Sequence, residues 1–254
     1  MKHFVKMQCI CYTKYARMAG PLGLPISADV LYFTFQEVSA VARIIKLCSM
    51  GILLAIGIVF GFAIRHPWQW VVCLALLFSW LGDALLAHFE PLTRKMSDPF
   101  IAGMGAFALA QISYIIAFNL SIRAMPTLHK PTPGMYLGAD VLGLILPVYI
   151  LFGLLFWMLI VLRSPRTWDL KIAALVYCCL LCTMGGFAAS AAFTGTAVIW
   201  QLIAGGILFI VSDGIIAARV FGDRFENERR YDMLVWATYL PAQILLLIGT
   251  GRLY

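Results

Sequence analysis

Seven long apolar runs separated by short polar turns dominate the chain, at roughly residues 44–64, 68–88, 100–121, 136–162, 170–192, 196–219 and 232–250. Each reaches the length of about 20 residues that a helix needs to cross a bilayer core. The turns are Arg65-His66-Pro67, the stretch from Glu90 to Pro99, the stretch from Arg123 to Pro133, and a densely charged segment from Arg219 to Asp232. The pattern predicts an all-α, polytopic transmembrane helix bundle with seven clear spans. Residues 1–43 read differently. Pro21, Gly23 and Pro25 interrupt any long helix there, and the piece Ile26–Ile45 carries Asp29, Glu37 and Arg43. That piece reads as an interfacial helix or a degenerate eighth span. The expected division is an N-terminal cytosolic or interfacial segment, 1–43, followed by a transmembrane domain, 44–254. The N-terminus does not read as a signal peptide, because Lys6, Lys14 and Arg17 break its apolar patches.

Two acidic residues break the apolar pattern from inside. Asp83 lies in Phe78-Ser79-Trp80-Leu81-Gly82-Asp83, and Asp213 lies in Phe209-Ile210-Val211-Ser212-Asp213. A charge within a span costs a few kcal/mol on insertion scales, so an intramembrane acid points to function by default. Counted back from the ends of their runs, the two residues sit five and six positions in, about 8–9 Å deep at 1.5 Å per residue. Their helices run the same way, so the expectation is one site at one depth. The plainer alternative is a structural polar clamp to a neighbouring helix. Two carboxylates close together in an apolar site split their proton affinities, so that one serves as acid while the other stays ionised.

Composition sharpens this picture. The 254 residues are 62% hydrophobic and 12% charged, with a mean hydropathy of +0.90 and a pI near 9.1. Soluble domains are roughly 25% charged, so the chain is an integral membrane protein. Its basic excess reads as topology rather than nucleic-acid binding. With the N-terminus placed in the cytosol, 15 of the 19 Lys and Arg residues fall on the cytosolic side, leaving Arg65, Arg123, Lys130 and Arg252 opposite. A bacterial inner membrane and the endoplasmic reticulum fit equally well. The C-x-x-C at Cys179 and Cys182 lies inside a span with no His or second pair beside it, and reads as packing. The histidines at 3, 66, 88 and 129 are scattered and point to no metal centre. His88 reads as an interfacial residue, with a proton relay to Asp83 as the sharper alternative.

Other polar residues fall on the same spans. Gln111 and Tyr114 lie one turn apart on the third and are expected to face the same way; Tyr239 and Gln243 do likewise on the last. They serve either as interhelical hydrogen bonds or to orient water and substrate. By residue count the glutamines lie about 20 Å from the cytosolic ends, roughly 11 Å deeper than the acids, which requires staggered helices or a second layer. Lys46 opens the first span and either snorkels, pairs with Asp83, or meets a lipid phosphate. Gly103 and Gly105, Gly185 and Gly186, and Gly205 and Gly206 read as close-packing positions between helices. A faint repeat is visible: Asp83-Ala84-Leu85-Leu86-Ala87 against Asp213-Gly214-Ile215-Ile216-Ala217, and Ala110-Gln111-Ile112 against Ala242-Gln243-Ile244. The offsets of 130 and 132 point to a duplicated unit. No G-x-S-x-G, H-E-x-x-H or P-loop is present.

The pattern F-S-x-x-G-D-x-x-L from Phe78 to Leu86 resembles the YhhN-like membrane proteins, the group that contains the TMEM86 lysoplasmalogenases. So do Phe100-x-x-Gly103-x-x-x-Phe107, Ala110-Gln111-x-x-Tyr114-x-x-x-Phe118, Phe209-x-x-Ser212-Asp213, Tyr239-x-x-Ala242-Gln243 and the early Lys46. The likeness runs from about residue 44 to 250. That family often carries His where this chain has Gln111, and is usually drawn with eight spans. The resemblance implies hydrolysis of the vinyl-ether bond of a lysophospholipid held within the bilayer, giving a fatty aldehyde and glycerophosphocholine or glycerophosphoethanolamine. Such chemistry needs a general acid and an anion or base, with Asp83 and Asp213 as the candidate pair. Ser79, Gln111, Tyr114, Ser212, Tyr239, Gln243 and Lys46 would support them, with Lys46 or Arg219 near the phosphate, and no metal or cofactor is required. The rival reading is a proton-coupled transporter or lipid-handling protein using the same aspartates.

Overall fold

The computed structural model describes residues 28–87, 93, 94, 96, 98–128, 138–194, 198–222 and 228–253. Among them every regular element is helical: α1 Ala28–Ile64, α2 Pro67–Leu86, α3 Pro99–Leu128, α4 Gly138–Phe156, α5 Trp168–Ala191, α6 Trp200–Gly222 and α7 Glu228–Thr250. A π-helical turn, Trp157–Val161, extends α4. All seven carry a stretch long and apolar enough to cross a membrane, from Arg43–Ile64 in α1 to Arg230–Thr250 in α7. The bundle of seven spans is therefore as the apolar runs predict. A bilayer interior offers no water to the backbone, and helices satisfy every internal N–H and C=O by themselves.

Local chemistry sets the boundaries. Pro67 opens α2, where the missing N–H costs nothing. Arg65 turns the chain from α1 to α2 with a positive φ of 59°, and its N–H bonds back to the Gly61 carbonyl at 3.0 Å. Between Ala28 and Met50 there is no Gly or Pro, so α1 begins well upstream of the residue-44 boundary drawn from hydropathy. Residues 1–27 lie outside the described residues. The chain divides into two compact units at Lys46–Leu47, and everything that follows lies within the unit Leu47–Tyr254.

Within that unit α2 packs most extensively on α3, and α6 on α7. These two hairpins are the segments related by the faint repeat. α2 and α6 also both open on a Trp-Gln pair, Trp68-Gln69 and Trp200-Gln201, with both glutamines buried. α5 packs against α3, α4 and α6. The core runs down the middle of the bundle and includes Leu76, Phe107, Tyr114, Phe118, Met184, Phe209 and Leu246. The outer face of α4 is an apolar stripe, with Leu144, Val148, Leu151, Leu155 and Leu159 exposed at helical spacing. In a membrane protein that stripe faces lipid.

Small residues allow the closest approaches. A β-carbon on Gly206 would meet Gly185 Cα at 3.3 Å, and one on Gly82 would meet the Phe107 ring at 2.7 Å. Gly105 departs from the packing role expected of it: a β-carbon there would meet nothing within 4 Å, because that face of α3 is open. Gly206→Leu should therefore destabilise the detergent-solubilised protein by about 1–3 kcal/mol through overpacking. Gly105→Ala should be neutral or stabilising by up to about 1 kcal/mol through helix propensity. Thermal unfolding of the two variants beside the parent checks the contrast.

Candidate active site

An apolar cavity of about 400 Å³ opens among α2, α3, α4, α5 and α6, within the range of small-molecule sites. Asp213 is the only charged side chain among its described lining residues. α6 brings Asp213 to the wall, and Tyr177 of α5, also a lining residue, donates its hydroxyl to Asp213 Oδ2 at 2.5 Å. Cys178 and Cys182 of α5 add two thiols to the wall. They sit one turn apart, and Cys178 Sγ lies 3.4 Å from the Gly153 carbonyl. The C-x-x-C read from the sequence thus pairs differently in space, because positions four apart share a helix face. Among the described residues no group of His, Cys, Asp and Glu has the arrangement of a metal site.

Asp83 is held by a different tyrosine. Tyr239 of α7 donates to Asp83 Oδ2 at 2.9 Å. One helical turn further along both antiparallel helices, Gln243 Nε2 donates to Ser79 Oγ at 3.0 Å. Tyr114 of α3 donates to Gln243 Oε1 at 2.5 Å. The glutamine layer is therefore about 6 Å from the tyrosine–aspartate layer, four residues at 1.5 Å each, and the helices are staggered to bring α2 and α7 level. Tyr239 also packs its ring edge-on to Phe107 at 5.9 Å and to Phe209 at 5.6 Å. Phe209 is one turn from Asp213, so Tyr239, bonded to Asp83, also touches α6 one turn from the second acid. The acids lie three residues before the end of α2 and nine before the end of α6, an asymmetry that hydropathy boundaries smoothed away.

Several expected partners fall elsewhere. Gln111 and Tyr114 do not address one neighbour: Tyr114 meets α7, whereas Gln111 lies beside Tyr177 of α5. Three residues of helix leave them about 60° apart, enough to reach different helices in a packed bundle. Ser212 turns away from the cavity and donates to the Val235 carbonyl at 3.3 Å. Arg219 is engaged by Asp232 at 3.8 Å and by the Tyr231 ring at 4.2 Å. Lys46 closes the other unit. His66 stacks on Trp68 at 4.2 Å, and His3, His88 and His129 lie outside the described residues. Tyr177 went unread in the sequence; the signal was the same one that marked Tyr239, a hydroxyl on a ring in mid-span.

The cavity end formed by Val161, Val220 and Phe221 abuts a basic loop. Arg166 donates to the Val220 carbonyl at 2.9 Å. Lys171, nearly buried, donates to the Leu162 carbonyl at 3.0 Å where the π-turn ends, and its ammonium lies 5.1 Å from the Trp168 ring. Removing the donor to Gln243 tests how far this polar core supports the bundle. Tyr114→Phe should cost about 1 kcal/mol, since it leaves a buried amide oxygen without a donor. Unfolding of the purified variant in detergent reads that loss.

Comparison with known proteins places the chain in a family. The chain matches the YhhN family over residues 41–250. It is 31% identical over 185 residues to the pig (Sus scrofa) protein named lysoplasmalogenase TMEM86B, a match covering 70% of this chain and 62% of that protein. It is 29% identical over 228 residues to bovine (Bos taurus) lysoplasmalogenase TMEM86A, covering 87% and 82% respectively. No solved structure matches. With the match running from the first span to the last, this chain belongs to the YhhN family.

Proposed function

We propose that the protein is a membrane-embedded hydrolase that cleaves the vinyl-ether bond of lysoplasmalogens, releasing a fatty aldehyde and glycerophosphocholine or glycerophosphoethanolamine. One observation carries the reading: a single carboxylate, hydrogen-bonded by Tyr177, stands in the wall of an otherwise uncharged, apolar cavity. No other charged group lines the described cavity, and an enol-ether carbon needs only one proton to become reactive. The names of the related mammalian proteins point the same way.

The chemistry follows from that placement. The π pair of the alkene takes a proton from the Asp213 carboxyl onto its outer carbon, leaving an oxocarbenium ion. The carboxylate so formed faces the cation at short range, where low dielectric strengthens the attraction. Water attacks the cationic carbon, and its proton goes back to Asp213. The hemiacetal then collapses: the bond to the glyceryl oxygen breaks, that oxygen takes the hydroxyl proton, and the aldehyde is released. Asp83, held by Tyr239 and not itself a lining residue of the cavity, adds a second negative centre at longer range that favours the cation, a looser relative of the paired carboxylates of glycoside cleavage. The tail occupies the cavity. The phosphate lies at the cytosolic end near Arg166 and Lys171, with the N-terminus on the same side, as the bias of basic residues supports.

Aldehyde release from lysoplasmenylethanolamine by the purified protein in detergent is the decisive measurement. Asp213→Asn should lower kcat by about 100-fold or more, and Asp83→Asn by about tenfold or more, in variants that remain folded. Arg166→Ala should raise KM by about threefold to tenfold with little change in kcat, the signature of lost ground-state binding. The paired hairpins favour one second reading, a transporter built on a repeat. It predicts no aldehyde from well-folded protein, and a proton flux in vesicles that both aspartate variants lose.

A further inference from the structure

The two glutamines related by the repeat have opposite surroundings. Gln243 is fully buried and satisfied: its oxygen accepts from Tyr114 and its nitrogen donates to Ser79. Gln111 is equally buried, yet its polar neighbour is only the Tyr177 hydroxyl, and neither its amide oxygen nor its amide nitrogen makes a hydrogen bond of normal geometry with any described residue. The repeat accounts for the difference. At an offset of 132, the counterpart of Tyr114 is Leu246; at 130, the counterpart of Ser79 is Phe209. Both are fully buried hydrophobic residues. The second hairpin has lost the two hydroxyls that would satisfy Gln111 by symmetry.

A buried amide left empty on both sides is costly, and such groups are commonly satisfied by ordered water with two to four polar partners. Gln111 is placed for that purpose. It sits one turn beyond Phe107, a residue of the cavity wall, and beside Tyr177, whose hydroxyl bonds Asp213. We infer that Gln111 is the water-positioning residue of this site, holding the hydrolytic water by its carboxamide next to the Tyr177–Asp213 pair. The inference rests on the proposed activity and deepens it. In the attacking step the water oxygen forms the new bond to the cationic carbon, the carbon–oxygen π pair returns to the ether oxygen, and the water proton passes to the Asp213 carboxylate. Gln111 accepts from the water and donates to it throughout, and neither gains nor loses a proton. Gln243, locked by protein partners, is its structural twin.

The test uses the full chain in detergent with Gln111→Met, an apolar replacement of similar length, beside Gln243→Met. Gln111→Met should keep or raise the thermal midpoint, because only its contact with the Tyr177 hydroxyl is lost, whereas Gln243→Met, which loses two well-formed hydrogen bonds, should lower it. With lysoplasmenylethanolamine, Gln111→Met should lower kcat by tenfold or more with KM within twofold. In dilute methanol, which competes for the cation, the ratio of methyl acetal to aldehyde should rise severalfold in Gln111→Met, since ordered water no longer has the advantage. A high-resolution map of the wild-type protein should show ordered density within hydrogen-bonding distance of the Gln111 amide. A protein side chain in that place, or a midpoint that falls in Gln111→Met as far as in Gln243→Met, overturns the inference. So does an unchanged acetal ratio. If the wild type releases no aldehyde, the proposed activity fails, while the map and the two midpoints still decide whether Gln111 holds a water.

Discussion

Inside a bilayer, a polar side chain is tolerated only when another group satisfies it, and this bundle is arranged around that constraint. Each of its two intramembrane aspartates accepts from a tyrosine on another helix, Asp83 from Tyr239 and Asp213 from Tyr177. A tyrosine suits the task because its ring packs in the apolar core while its hydroxyl reaches the acid. The rest of the described unit serves these contacts. Gly82 lets Phe107 lie against α2, Phe107 and Phe209 brace the Tyr239 ring, and Gln243 pins α2, α3 and α7 together one turn away.

The same constraint is met in two different ways. Asp83, Ser79, Tyr114 and Gln243 form hydrogen bonds that protein groups complete, deep between the paired hairpins. Asp213 and Tyr177 instead face a cavity, and Gln111 beside Tyr177 makes no hydrogen bond of normal geometry with any described residue. Stability favours filling such a place with hydrophobic side chains; a site that must admit water and substrate leaves it incomplete.

Family membership and geometry meet at this point. The YhhN match covers all seven spans, and the cavity lies among five of the helices within it. The apolar chamber, with one acid in its wall and a basic loop at one end, is the feature on which the proposed lysophospholipid substrate rests.

Much of this was legible in the residue order. Apolar runs of span length have one stable solution in lipid, so the seven helices and the two intramembrane aspartates follow from the sequence by the energetics of burial alone, and the likeness of the two hairpins is read directly from their matching residues. Tyr239 and Gln243 could also be read as one helix face, because both lie on a regular turn. What the residue order could not determine is which helices become neighbours. That depends on side-chain packing between segments far apart in the chain, such as Gly206 against Gly185. Only tertiary structure therefore gave Asp213 its Tyr177, turned Ser212 and Arg219 to other partners, parted Gln111 from Tyr114, and opened the cavity on one acid rather than on both.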